Sequence, residues 1–572
     1  MRRAAGTIAA TIVALAAIAS IGWALTQFAA ATRSLEITAT QWGPIPVTVF
    51  SGRTDETGTA VPVAPADRIA HTTRPVVVIA HGFAGSQQLM QPFAVTLARN
   101  GYLAVTFDFP GHGRHPTPLP GSLREHDALL AALLASIEQT VTGAQALPQS
   151  DRRVAVLGHS MASDLVVRYA QAHPEIAATV GVSLVFGGAQ MIAPRNLLSI
   201  YGSLEPAMVQ AFGRTLVAGT PDGTPSATRA QGVESGVAYA DVKAGVTYGS
   251  LADGSARRFA LAAGAEHIGV LYHPTSLRET LDWLDGTFAR VPLERSTATS
   301  VQQPRFIDAR GRAIAALMIG VVALTWPLSR LLRSALASSA GFRPRAMRNV
   351  DAFSPQRPIR LRDWLIVTLV PALATPLVLR TVPTSFLPIL LGDYLLLHFA
   401  VYGLFTALGI VWLVRRRVLV LHAPRAPALA TLVGATAVLA WSTLAIGVPV
   451  DRYLFNLTPA AGRVPLIAAM LVGTLIWFAA DEWLTRNARA PRWAYPFTKA
   501  CFIVSLAIAV GLDLERLFFL VIIIPAILVL FIIYGLFSRW SFRATGSPWP
   551  SAFANACAFA WGIAVTFPAI SR

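Results

Sequence analysis

The chain has 572 residues, 54% of them apolar and only 13% charged. Soluble domains usually carry about 25% charged residues, so an ordinary soluble enzyme is excluded over the whole length and a membrane protein is indicated. The net charge of +17 raises nucleic acid as a partner, and the two cysteines, Cys501 and Cys557, lie in apolar stretches and offer no disulfide framework.

Residues 1–32 begin MRR and continue AAGTIAATIVALAAIASIGWAL. That run, about twenty residues long, predicts a signal-anchor transmembrane helix. The small residues FAAAT at 28–32 leave a cleaved signal peptide as the alternative. Between 33 and 311 the charge density is ordinary, and short apolar runs alternate with Gly and Pro turns. LEITATQWGPIPVTVFSG (35–52) predicts an antiparallel hairpin. PVVVIA (75–80), YLAVTFDF (102–109), RVAVLG (153–158), VSLVFG (182–187), NLLSIYG (196–202) and RRFALAAG (257–264) predict strands buried on both faces. Helical patterns lie between them, such as QLMQPFAVTLARNG closed by Gly101 and MASDLVVRYAQAHP stopped by Pro174. The alternation predicts an α/β domain with a doubly wound, mostly parallel sheet. GVTYGSLADGSARRFALAA predicts a hairpin turning at Asp253-Gly254. Only a short segment separates VSLVFGG from NLLSIYG, so no large cap over the sheet is expected there.

Residues 312–572 predict an all-α transmembrane bundle of about eight helices, near 313–329, 364–380, 388–414, 427–449, 464–481, 496–512, 517–537 and 550–568. With the N-terminus inside, the cytoplasmic segments hold 20 Lys and Arg and the short external ones five. That bias follows the positive-inside rule and predicts a multi-pass protein with the α/β domain on the extracytoplasmic side. The basic charge is then mostly a topology signal, and nucleic acid is set aside. Asp393 and His398, and Asp481 with Glu482, are ionisable residues in or ending spans. Packing within the bundle is the expected role, with a transport pathway as the alternative. Asp513, Glu515 and Arg516 fall at a short external turn, where charge is ordinary.

The stretch VAVLGHSMASDLVV (154–167) carries the chemistry. A strand, a glycine, a serine two residues on and a helix make a turn that presents a nucleophile at a strand's carboxyl end. Close approach of strand and helix requires small residues at the positions two before and two after Ser160, occupied by Gly158 and Ala162 where G-x-S-x-G is usual. AHGFAGS (80–86) follows an earlier strand and can supply a second backbone donor, the Phe83 N–H. VTFDFPGHGRH (105–115) closes near the same sheet edge, and AGAEHIGVLYHP (263–274) places His267 after the last strand.

In this order the residues resemble the α/β-hydrolase superfamily, and most the monoglyceride-lipase, serine-aminopeptidase and dienelactone-hydrolase-like branches, over roughly 35–290. The resemblance implies Ser160 as nucleophile, His267 as general base, and the Phe83 and Met161 N–H groups as oxyanion hole. The acid falls to Glu205 in NLLSIYGSLEP, with Asp222 in GTPDGTP as the alternative. His81 is expected to brace its loop, His273 is the rival to His267, and Asp164 is expected on a helix surface. His112 and His115 lack partners at metal-ligand spacing, so no metal is expected, and no cofactor. The expected function is a membrane-anchored serine hydrolase of carboxylesterase or lipase type, acting on an acyl-ester or lipid-like substrate at the bilayer. An acyltransferase or peptidase with the same triad, or a transporter or sensor with a ligand-binding domain, are the alternatives.

Overall fold

The computed structural model describes residues 2–53, 73–120, 126–185, 194–218, 239–290, 305–339, 359–416, 418, 428–460, 462–486 and 490–571. The chain divides into two compact units. One comprises Ala24–Ala315, Asp451–Ala460 and Pro568–Arg572; the other comprises Met1–Trp23, Ala316–Val450 and Ala461–Phe567.

The first unit is built on a nine-stranded sheet. Its strands are β1 (Leu35–Trp42), β2 (Ile45–Gly52), β3 (Arg74–Ala80), β4 (Leu103–Phe107), β5 (Ser150–His159), β6 (Ala178–Val182), β7 (Leu197–Gly202), β8 (Thr247–Tyr248) and β9 (Arg257–Ala262). The order is β1-β2-β4-β3-β5-β6-β7-β9-β8, with β1, β2 and β8 antiparallel to their neighbours and the rest parallel. Helices α2 (Gln91–Arg99) and α6 (Pro274–Thr287) cover one face; α3 (His126–Gln145) and α4 (Met161–Ala172) cover the other, and α5 (Ala207–Ala218) packs against β7 and β9.

Strand β3 shows why a continuous apolar run is needed. Val76, Val78 and Ala80 pack toward α3 and α4, while Val77 and Ile79 pack toward α2 and α6. A strand's side chains alternate between faces, and both faces here are dry, so the run from Pro75 to Ala80 is apolar throughout. Each such valine or isoleucine contributes about 1.5–3 kcal/mol by burial. β4 and β5 lie on opposite sides of β3, so the winding reverses there. The crevice at the carboxyl ends of these strands is where such sheets bind ligands.

One predicted strand is displaced. β6 is ATVGV (178–182), not the expected VSLVFG at 182–187. The apolar run is continuous from Ile176, so hydropathy alone does not say which half pairs. Ser183 takes a positive φ of 51° and ends the strand, and Leu184 stays buried in the turn that follows. The 247–262 hairpin is present, but β8 is two residues long and the connection runs from 249 to 256, wider than the tight turn expected.

The second unit is helical. It contains most of α1 (Arg2–Thr32) and α7 (Arg310–Ser339), with α8 (Leu361–Leu379), α9 (Gly392–Arg415), α10 (Ala428–Ser442), a π-turn (Thr443–Gly447), the first half of α11 (Val448–Tyr453), α12 (Arg463–Thr485), α13 (Ala494–Leu512), α14 (Leu514–Thr545) and α15 (Trp549–Thr566). Among the described residues eight helices are long and apolar enough to cross a membrane: 4–32, 310–336, 361–379, 392–415, 431–453, 463–485, 494–512 and 523–545. The ninth stretch of the sequence reading, 550–568, is α15, which is not among them. It is largely buried and carries Ser551, Asn555 and small alanines on its packed side. An inner helix of a bundle faces neighbours, not lipid, and can be less apolar. Phe399, Trp477, Phe478, Phe502, Phe531 and Phe559 form its aromatic core.

The ionisable residues singled out within spans are engaged in packing. Asp393 accepts from the backbone N–H of Phe386 and Leu387 and so closes the turn before α9. Asp481 pairs with Lys499, and Glu482 accepts from Ser538 Oγ at 2.6 Å. His398 is enclosed by Tyr394, Tyr402 and Phe502. Asp513 caps α14 and pairs with Arg516 at 3.1 Å.

Candidate active site

β5 ends at His159 and α4 begins at Met161, which leaves Ser160 alone in the turn with φ 53° and ψ −119°. A non-glycine residue held in that region stores about 1–3 kcal/mol of strain, and such strain is tolerated where surrounding packing fixes it. The packing here is specific. A Cβ placed on Gly158 would lie 2.2 Å from the Ala162 carbonyl oxygen, so position 158 admits only glycine. Ala162 itself is fully buried in the core beneath α3 and α4, so its methyl is accommodated where glycine is usual.

Gly158→Ala therefore separates the two small positions. We expect it to cost about 1–3 kcal/mol of stability by overpacking and to displace Ser160, lowering kcat and the thermal midpoint together. Thermal unfolding and ester turnover of the same preparation test this, and an unchanged kcat in the Gly158→Ala variant would refute it.

His267 lies in the loop after β9. Its Nε2 is 3.0 Å from Ser160 Oγ and its Nδ1 is 2.7 Å from Glu205 Oε1. Glu205 follows β7 and is almost wholly buried, and its Oε2 accepts from Ser183 Oγ at 2.9 Å and from the Gly202 N–H at 2.7 Å. With both oxygens of Glu205 engaged, the carboxylate has one orientation, and His267 Nδ1 must be the protonated nitrogen. Nε2 then faces Ser160 with a lone pair, ready to take its proton. A Cβ on Gly202 would fall 2.3 Å from the Ala265 carbonyl, so glycine there lets the histidine loop close on β7.

Phe83 and Met161 flank the serine. Met161 opens α4, whose N-terminus points its backbone donors and dipole at the turn. Phe83 follows Gly82, and a Cβ on Gly82 would lie 3.0 Å from both Ser160 Cβ and the His159 carbonyl. The loop turns sharply by a hydrogen bond from Gly85 N–H to Gly82 O at 3.0 Å, with Ala84 at φ 54°.

The other histidines serve the loops. His81 Nε2 accepts from the Phe109 N–H at 3.2 Å, so Nδ1 donates to Gly82 O at 2.8 Å, tying the ends of β3 and β4 together. His273 caps α6, accepting from the Thr275 N–H at 3.2 Å. His112 and His115 bond to carbonyls of their own turn, Pro110 O and Thr117 O. Asp164 pairs with Arg168 one turn along α4. Asp222 lies outside the described residues, as does 186–193, most of the short connection where a cap would insert.

Two supporting residues went unread in the sequence. Ser183 holds Glu205, and nothing in its local pattern marks it. His159, the variable residue of the G-x-S turn, donates from Nε2 to His267 O at 3.0 Å and so fixes the backbone of the histidine loop. Its place between the strand end and the serine was the available signal.

Burial pushes the His159 imidazole well below its ordinary range, and the neighbouring His267 adds to the effect. Burial also lowers His81, with Asp108 opposing it. Both rings are therefore neutral in the fold, whereas in the unfolded chain they protonate as pH falls through about 6.5. The unfolded state then binds more protons, so these residues contribute stability above about pH 6.5 that is lost on acidification. Unfolding midpoints at pH 7.5 and 5.5 should differ more for wild type than for His159→Gln; an equal loss would exclude His159 as a source.

Residues 71–231 match the family model described as serine aminopeptidase, S33. Among solved structures, an epoxide hydrolase from Vigna radiata is 19% identical over 27% of this chain and 40% of its own, with a TM-score of 0.20. The thioesterase domain from the curacin biosynthetic pathway is 24% identical over 27% of this chain and 48% of its own, at 0.20. TT1662 from Thermus thermophilus is 13% identical over 44% of this chain and 97% of its own, at 0.29. The chain thus spans less than half the length of that epoxide hydrolase and that thioesterase domain. No curated protein matches it. The chain carries an α/β-hydrolase domain together with a helical region of apolar helices.

Proposed function

We propose that this chain is a membrane-anchored serine hydrolase that cleaves an acyl ester, thioester or amide through Ser160, with carboxylesterase- or lipase-like esters as its main substrates. The observation that carries this reading is the single imidazole of His267 bridging Ser160 Oγ and Glu205 Oε1. Ser160 Oγ attacks the carbonyl carbon as His267 Nε2 takes its proton, and the carbonyl oxygen gathers the displaced electron pair. The Phe83 and Met161 N–H groups receive that charge, while Glu205 holds the imidazolium. Collapse expels the leaving group, which takes the proton from His267 and leaves an acyl-Ser160 ester. Water, activated by the same histidine, releases the acid and restores the enzyme.

Eight helices able to cross a membrane support anchoring, and an enzyme tethered at a bilayer suits substrates with acyl chains. The loop charge bias supports an extracytoplasmic domain. A reporter active only in the cytoplasm, fused near residue 300, should then be silent; activity there would reverse the orientation.

The serine aminopeptidase match also supports an amide reading. A series of p-nitrophenyl esters of rising chain length, run beside aminoacyl p-nitroanilides on the full-length chain, separates the two. Faster ester turnover, abolished in Ser160→Ala, supports the esterase; faster anilide turnover favours the peptidase. Turnover of either that survives in Ser160→Ala would overturn the reading.

A further inference from the structure

The segment Asp451–Ala460 runs from the end of α11 toward α12 in sequence, yet it is part of the hydrolase unit. We propose that this segment positions the oxyanion loop 82–86, acting through Ser86 and Arg114. The inference rests on the reading of Ser160 as nucleophile and Phe83 as donor.

Ser86, Gln87, Asp108, Arg114 and Asn456 are joined in a closed circuit of hydrogen bonds. The backbone N–H of Asn456 donates to Ser86 Oγ at 2.9 Å, and Asn456 Oδ1 accepts from Arg114 Nε at 2.9 Å. The Arg114 N–H donates to Asp108 Oδ2 at 3.0 Å, and Asp108 Oδ1 accepts from the N–H of Gln87, next to Ser86, at 2.8 Å. Ser86, Asp108 and Asn456 are all buried. Polar groups buried in a linked network set one another's geometry, because each has no water to turn to. Ser86 closes the oxyanion loop three residues after Phe83, so the circuit holds one end of that loop while His81 holds the other.

The segment is also fastened by contacts outside the circuit and by a second bond from Arg114. Tyr453 stacks on Phe28 with ring centroids 3.8 Å apart, the Arg452 carbonyl accepts from Gln91 Nε2 at 3.3 Å, and Phe455 packs against the core under α2 and α6. Asp451 Oδ1 accepts from the N–H groups of Leu457 and Thr458, at 2.7 and 2.8 Å, and closes the segment on itself. Its Oδ2 pairs with Arg114 Nη2 at 3.1 Å. Ala569 grips the same turn: its N–H donates to Gly111 O at 2.9 Å, and Leu119 N–H donates to Ala569 O at 2.8 Å. A Cβ on Gly111 would fall 2.4 Å from that Ala569 oxygen. The turn carrying Arg114 is thus held from two sides by residues distant in sequence.

The test uses the full-length chain in detergent, with Ser86→Ala, Ser86→Thr, Arg114→Ala and Arg114→Lys. Three quantities are read: kcat and KM for a p-nitrophenyl ester, inhibition by an alkyl boronic acid, and the thermal midpoint. The boronate forms a tetrahedral adduct on Ser160 with one oxygen in the oxyanion hole, so its affinity reports donor placement where KM does not. A donor displaced by a fraction of an ångström loses much of its effect on the transition state. We expect the alanine variants to lower kcat about tenfold with KM within about twofold, and the boronate inhibition constant to rise in step. Ser86→Thr, which keeps the hydroxyl, should restore kcat, and Arg114→Lys should restore part of it. Unchanged kcat, or a fall in the thermal midpoint with no change in boronate affinity, would reduce the segment to a fastening and overturn the inference. A wild-type chain without turnover or boronate inhibition would instead remove the hydrolase reading, and this inference with it.

Discussion

Glu205→Gln is expected to lower kcat about ten-thousand-fold, the loss seen when a triad acid becomes an amide and imposes the wrong tautomer. The geometry specifies the route. Glu205 Oε2 accepts from the Gly202 N–H and from Ser183 Oγ, and a backbone donor cannot turn away. In the glutamine variant the amide oxygen must stay on Gly202, which leaves the NH₂ facing His267 Nδ1. The ring then accepts at Nδ1, and its proton moves to Nε2, against Ser160. Such a ring cannot take the serine proton. KM should change little, since Glu205 is buried behind the histidine and touches no substrate. Steady-state kinetics on a p-nitrophenyl ester checks this, and a loss below tenfold would transfer the acid's role elsewhere, with Asp222→Asn as the next variant to measure.

His267→Ala should be more severe, about a million-fold in kcat, because it removes both the base and the leaving-group acid. The double variant with Ser160→Ala should be no slower than either single one, since residues of one catalytic unit are not additive. Folding should survive. The backbone of residue 267 is held by His159 Nε2 through the carbonyl, and the His267 side chain is about 20% exposed, so its loss opens no core cavity. Rates of the three variants side by side, with thermal midpoints, test both points. A double variant much slower than the singles would mean that Ser160 and His267 act in separate steps.

Much of this was legible in the chain because the physics is local. Buried strands announce themselves as apolar runs, and the elbow as a strand, a small residue, a serine and a helix. The order of Ser160, Glu205 and His267 along the chain, each after its own strand, already brings them to one sheet edge. What the chain alone did not show depends on contacts between distant residues. The choice of ATVGV over VSLVFG for β6 was settled by pairing with β5 and β7 on either side, since both halves of the run are equally apolar. Ser183 supports Glu205 only because the strand stops one residue before it. The Asp451–Ala460 segment reads as an ordinary loop between apolar helices, and its attachment to Ser86 and Arg114 spans more than three hundred residues. α15 read as one more span, and its polar residues find their places inside the bundle only once the bundle exists.

The central claim is that Ser160 is a nucleophile activated by His267. A fluorophosphonate probe tests it most directly, since it reacts with a serine only where a base and an oxyanion site are assembled. Incubated with the full-length chain and followed by peptide mass analysis, it should place one label per chain, on Ser160, and none on Ser160→Ala. No label on the folded wild type, or equal labelling of Ser160→Ala, would contradict the account.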